Sequence, residues 1–231
     1  MTAEAFRQEL RQLAPRHPLF QRTHPFWRDA FRGRLPADAL RLWARDIYPF
    51  VRDFPWQYLH VAIKCRSVPA LTGLCETIYE ETGSGQTTQA HSELFKRFMA
   101  ALGLEASDAL DEPQTETGRA FWQLVTDLSR HGTFVESLAC VGLGVERPLP
   151  QFFPLVARVM ERHYGMKADD VEFFSIHSVA DVKHSQLAAK LVAEAATTPA
   201  MQARVKEIVF SVWDRQLAHL DELHSLACQT V

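Results

Sequence analysis

The stretch that most constrains this chain is Phe173-Phe174-Ser175-Ile176-His177-Ser178-Val179-Ala180-Asp181-Val182-Lys183-His184. Neither Gly nor Pro occurs from Val171 to Thr198, and apolar residues return at Leu187, Ala188, Leu191 and Val192, which predicts a helix. Steps of four and then three residues place His177, Asp181 and His184 on one face of that helix, within about one and a half turns. Two imidazoles and a carboxylate on one stripe can converge on one metal ion or on two neighbouring ions. A single His at such a position is more often a core residue satisfied by ordinary polar contacts. Three ligand-type residues in register make the metal reading the stronger one.

The rest of the chain also reads as helical. Ala3 to Ala14 carries an apolar stripe at Phe6, Leu10 and Leu13, and Pro15 and Pro18 break it. A short segment opens at His24-Pro25-Phe26-Trp27 and closes at Gly33. A helix then starts at Leu35-Pro36-Ala37-Asp38 and continues through Leu40, Trp43, Ile47, Phe50, Val51 and Phe54, with Pro49 and Pro55 expected to kink or divide it. Ser67 is an N-cap for a helix that ends at Glu80-Glu81-Thr82-Gly83-Ser84-Gly85. The next is expected to begin near Thr87 or Thr88 and run through Met99. Further helices are expected over 116–130, over 134–145 (nearly all apolar or small, hence buried), over 152–164 and over 201–228. No segment shows clean two-residue alternation with β-branched enrichment. The expectation is an all-α bundle of about seven to eight helices, one domain spanning residues 1–231.

Bulk properties narrow the function. A net charge of −3, a pI near 6.4 and the lack of any Lys/Arg block argue against nucleic acid as a partner. No apolar run approaches a membrane span, and the start of the chain does not read as a secretory signal, so a cytoplasmic protein is expected. Cys65, Cys75, Cys140 and Cys228 form no C-x-x-C and no compact disulfide pattern, and are read as free thiols rather than nucleophiles.

Three residues of one helix would hold a metal loosely, so further ligands are expected from facing helices. Glu81 lies where a helix meets the Gly83-Ser84-Gly85 turn, and His91 lies early in the helix that follows. Glu146 closes the apolar helix, where a buried carboxylate needs a partner. Each has an ordinary reading as well. Glu80 and Glu81 can be a solvated helix end, His91 can sit in water, and Glu146 can pair with Arg147 or Arg158. Glu136 competes with Glu146, ten residues away and on another face.

Taken together, these motifs resemble the haem-oxygenase-like family of non-haem di-iron oxidases and oxygenases. That family shares its fold with the PqqC and TenA proteins and includes the chlamydial death-domain-associating protein. The resemblance rests on Glu80-Glu81-Thr82-Gly83-Ser84-Gly85…His91-Ser92-Glu93-Leu94-Phe95, on Gly142-Leu143-Gly144-Val145-Glu146, and on the triplet. Weaker similarity at His24–Trp27 and Leu40–Phe54 extends it over most of the chain. It implies that Glu81, His91, Glu146, His177, Asp181 and His184 hold two iron ions, with manganese as the alternative metal. It favours Glu146 over Glu136 by its spacing from the flanking motifs.

The resemblance also implies O2 as co-substrate, an external reductant, a small amine, amino acid or fatty acid as substrate, and a fold compatible with a homodimer. Three carboxylates and three imidazoles suit Fe(II) or Mn(II), and no thiolate points to structural zinc. One branch of the family makes p-aminobenzoate by consuming a tyrosine that lines its site. The corresponding positions here are Trp27 and Trp43, so that route is not expected. Phe173, Phe174 and Leu143 are candidates for the pocket wall, with core packing as their ordinary role. The competing readings are a cofactor-free PqqC-like oxidase, a TenA-like hydrolase, and a helical interaction module. A ferritin-like bundle would need two E-x-x-H motifs, which the sequence lacks.

Overall fold

The computed structural model describes residues 1–20 and 24–229. Among them every regular element is helical and no strand occurs. The elements are α1 (Ala3–Arg11), α2 (Pro25–Phe31), α3 (Ala37–Ala62), α4 (Val68–Glu81), α5 (His91–Ala101), α6 (Glu116–His131), α7 (Phe134–Leu138), α8 (Leu149–Tyr164), α9 (Glu172–Ala195) and α10 (Pro199–Gln229).

The triplet helix, α9, is the one the others surround. It packs against α8, α5, α4 and α1, and against the segment that follows α7. Its uninterrupted run of helix formers ends at Ala196, and Pro199 opens α10, with the Thr198 hydroxyl accepting from the Met201 N–H at 3.2 Å. α10 closes the other side of the bundle over α6 and α3.

Three local departures from the expected pattern matter for the site. α3 is not divided: it runs as one helix through Pro49 and Pro55, each buried. A proline costs a helix one backbone hydrogen bond, and burial of Phe50, Val51, Phe54 and Tyr58 around the two prolines offsets that loss. α5 begins at His91 and not at Thr87, because Thr87–Gln89 forms a separate 3₁₀ turn. The apolar helix after Thr133 stays α-helical only to Leu138; Ala139–Val145 is a π-helix, and the Glu146 N–H bonds the Val141 carbonyl five residues back at 3.3 Å. Widened turns of this kind often occur at functional sites.

Glycine makes the π-helix packing feasible. A Cβ on Gly142 would lie 2.4 Å from the Ala188 Cβ on α9, and one on Gly144 would lie 2.8 Å from Val212 on α10. The widened turn is thus wedged between α9 and α10, with Glu146 at its end.

Candidate metal centre

Four elements deliver the six expected residues to one place. Glu81 ends α4. After it Gly83 adopts φ +91°, and a Cβ there would sit 2.3 Å from the Gln86 carbonyl oxygen and 2.5 Å from the Ala90 nitrogen. Only glycine permits this reversal. It returns the chain so that His91 faces Glu81, with His91 Nδ1 2.7 Å from Glu81 Oε2. The π-helix supplies Glu146, and α9 supplies His177, Asp181 and His184. All six are buried, none more than 5% exposed.

The ligand atoms fall into two groups that share one residue. Glu81, His91 and His177 form the first, and Glu81, Glu146, Asp181 and His184 form the second, with the atoms of each within 4.8 Å of one another. His184 Nδ1 lies 3.1 Å from Glu146 Oε1, and 3.8 Å from both Glu81 Oε1 and Asp181 Oδ1. The His91 and His177 rings are 4.2 Å apart. The structure brings in Glu146 and not Glu136, which is turned outward to Arg204 at 3.0 Å and caps its own helix through Thr133. Glu146 does not pair with Arg147 or Arg158.

The hydrogen bonding inside the group is incomplete. Glu81 Oε1, His91 Nδ1 and both oxygens of Asp181 are buried without a hydrogen-bond partner. His91 Nδ1 and Glu81 Oε2 are close, but not aligned as donor and acceptor. Each such orphan costs about 1–3 kcal/mol in a finished core. Converging orphans of nitrogen and carboxylate oxygen, with no sulfur among them, are what a divalent cation with hard or borderline preferences would satisfy. The residues present therefore fit a divalent metal such as iron.

The charges follow from burial and proximity. Burial, then repulsion from Glu146 and Glu81, pushes the Asp181 carboxyl well above the usual range. Burial also raises Glu146, although His184 and Tyr58 work against it. For Glu81 burial acts upward, but His91 outweighs it and the carboxyl stays low. Burial and the neighbouring His91 depress His177 to about 3. Burial opposes a charge on His184 too, yet its bonds to Glu146 and Glu80 hold it at about 9. These directions favour the protonated forms of His184 and Asp181, so a cation binding here would compete with protons.

Outer contacts fix the rings. His177 Nδ1 donates to the Phe173 carbonyl at 2.7 Å, which leaves Nε2 as the unprotonated atom. His184 presents Nδ1 to the group, while Nε2 donates to Glu80 Oε2 at 2.8 Å. Lys183 in turn bonds Glu80 Oε1 at 2.5 Å. Glu80 is therefore not simply a solvated helix end. Tyr58 on α3 donates to Glu146 Oε2 at 2.5 Å, and burial, then the Glu146 charge, raises its hydroxyl well above the usual value, so it stays a donor. Sequence reasoning gave neither residue a part in the site: Glu80 reads as a solvated helix end and Tyr58 as an ordinary packed tyrosine. Glu80 carries a local signal, since it adjoins Glu81; Tyr58 carries none, because its partner is 88 residues away. Glu80→Ala should weaken Fe(II) binding about 10–100-fold while leaving the fold intact, as measured by competition with a metal-sensitive dye.

A narrow cavity of about 130 Å³ opens onto the group, touching Glu81, Glu146, His177 and Asp181. Its walls are aromatic and aliphatic: Trp27, Trp43, Phe95, Phe152, Phe173 and Phe174 among others. Phe173 and Phe174 thus serve both core and cavity wall. Leu143 is buried in the core and does not line the cavity.

Comparison with known proteins gives the fold and the family. The chain is 26% identical to the 4-aminobenzoate synthase of Nitrosomonas europaea, covering 99% of this chain and 94% of that protein. A TenA homologue from Pseudomonas syringae superposes with a TM-score of 0.81 at 16% identity, covering 97% of this chain and 96% of the other. A domain of unknown function with a haem-oxygenase-like fold from Shewanella denitrificans gives 0.74 at 15% identity, covering 97% and 93%. The family described as iron-containing redox enzymes matches residues 41–219. The all-helical architecture is the haem-oxygenase-like one, and the chain belongs to this family of iron-containing redox enzymes.

Proposed function

We propose that the protein is a non-haem di-iron oxidase or oxygenase that uses O2 to oxidise a small organic substrate with a hydrocarbon or aromatic body. The observation that carries this reading is the pair of buried ligand groups sharing Glu81, with four orphaned polar atoms turned to one place. His91 and His177 would hold one ion, and Glu146, Asp181 and His184 the other, with Glu81 common to both. Two ferrous ions bound there supply electrons for the reduction of O2.

The chain's own part is positional and protective. The Phe173 carbonyl and Glu80 hold the imidazoles in register. Tyr58 keeps Glu146 turned toward His184. The aromatic walls limit water around the reacting centre, and an external donor would restore the reduced state.

Relatives bear the name 4-aminobenzoate synthase. No tyrosine lines the cavity among the described residues, and Trp27 and Trp43 are part of its wall. This supports a substrate that enters from outside over one drawn from the cavity wall, and a small amine, amino acid or fatty acid remains the proposed class. A TenA-like hydrolase is less well supported, because burial pushes the Cys140 thiol up and leaves it without a base. The test is oxygen uptake by anaerobically iron-loaded protein. About one O2 per two Fe(II) should be consumed by wild type, with loss of that uptake in His177→Ala. Equal uptake by both proteins would remove the reading.

A further inference from the structure

The cavity has a second polar end that the metal group does not explain. Its wall follows α3 through Trp43, Ile47, Phe50, Val51 and Phe54. Asp46 and Tyr58, on the same helix, lie outside this lining; Tyr58 reaches Glu146 and Asp46 reaches His219. Near Asp46 the lining passes to α10, with Gln216, His219 and Leu220.

His219 and Gln216 are each fixed on one side and free on the other. Asp46 is buried and accepts from the Gln114 N–H at 2.6 Å, from the Thr115 N–H and from the Thr115 hydroxyl. His219 Nε2 completes it at 3.0 Å. Burial opposes the Asp46 charge, but His219 and Thr115 outweigh it and hold the carboxyl low. A charged carboxylate at Nε2 keeps the ring proton on that nitrogen and leaves Nδ1 with its lone pair. His219 is 3% exposed, and its Nδ1 has no protein partner among the described residues. The Gln216 amide donates to the Gly144 carbonyl at 3.0 Å, which orients it, and its Oε1 has no protein partner among the described residues. Two acceptors therefore lie on the α10 wall of a largely apolar cavity.

We propose that Gln216 and His219 form a recognition station on the α10 wall of the cavity, which receives a hydrogen-bond donor, a hydroxyl or an amine, carried by an otherwise apolar substrate. The proposal rests on the reading above that the acidic group is the reacting site, and it adds a donor that the substrate must carry toward α10. Asp46 is a positioning residue here, since it acts through the His219 ring.

The test uses two isomers of the same atoms, 1-octanol and 1-methoxyheptane, of which only the first has an O–H donor. Binding is read from quenching of the fluorescence of Trp27 and Trp43, which line the cavity. Wild type should prefer the alcohol about tenfold, the worth of one well-placed hydrogen bond. In His219→Phe the preference should fall to about one while the affinity for the ether holds. Gln216→Leu, which leaves the Asp46–His219 pair in place, should lose part of it and serves if the first variant fails to fold. Glu81→Ala should keep the preference, so failure of the di-iron reading and failure of this one are told apart. Equal binding of the isomers by wild type overturns the proposal. So does a preference that survives both α10 variants, or one that disappears in Glu81→Ala.

Discussion

Anaerobic addition of Fe(II) should raise the midpoint of thermal unfolding by roughly 10 °C, and Asp181→Leu should raise it in the metal-free protein while reducing that further gain. Metal that binds only the folded chain stabilises it by about 4 kcal/mol at a thousandfold excess over Kd. For a chain of this size that is on the order of 2–4 °C per kcal/mol. The second half of the prediction comes from the two Asp181 oxygens, buried with no partner and pressed by Glu81 and Glu146. Replacing an orphaned buried carboxyl with a side chain that fills the same space removes a penalty of about 1–3 kcal/mol. A protein that keeps such a penalty trades stability for the site. Differential scanning fluorimetry with and without Fe(II) reads both effects. Destabilisation of the metal-free protein by Asp181→Leu would mean that the carboxyl is structural.

Gly142→Ala should cost about 1–3 kcal/mol and also weaken metal binding, although the new methyl touches no ligand. The added carbon would lie 2.4 Å from the Ala188 Cβ, which is fixed directly to the backbone of α9 and has no rotamer to move. Either α9 or the π-helix must then shift. One carries His184 and the other ends in Glu146, so their 3.1 Å contact opens. Gly73→Ala is the control. Its methyl would meet only the end of the Leu187 side chain at 2.9 Å, which can rotate away, and alanine is the better helix former. Urea unfolding of the two variants should show a clear loss for Gly142→Ala and little change for Gly73→Ala.

Much of this site could be read from the chain because its parts are local. His177, Asp181 and His184 lie within one and a half turns, and Glu81 and His91 flank a turn marked by glycines. Helical period and turn chemistry suffice for both. Glu146 was harder, because periodicity extends the apolar helix smoothly to residue 145 and gives no hint of a π-helix. That change is imposed by packing of Gly142 on Ala188 and of Gly144 on Val212, contacts that join distant parts of the chain. The prolines of α3 show the reverse case. Each is a strong local breaker, and the core packed around them overrides it. Glu80 lies next to Glu81 in sequence but bonds His184, more than a hundred residues on. Tyr58 and the Asp46–His219 pair depend on contacts between α3 and segments far along the chain, and no local pattern marks them.

The proposed function requires one buried group to bind two irons with Glu81 shared between them. It is tested by anaerobic loading with ⁵⁷Fe(II), removal of loosely held metal, and iron counting with Mössbauer spectroscopy on wild type, His91→Ala and Glu81→Ala. Two irons per chain are expected in wild type, a loss confined to one of them in His91→Ala, and loss of both in Glu81→Ala. No specific iron in wild type, or undiminished iron in Glu81→Ala, would contradict it.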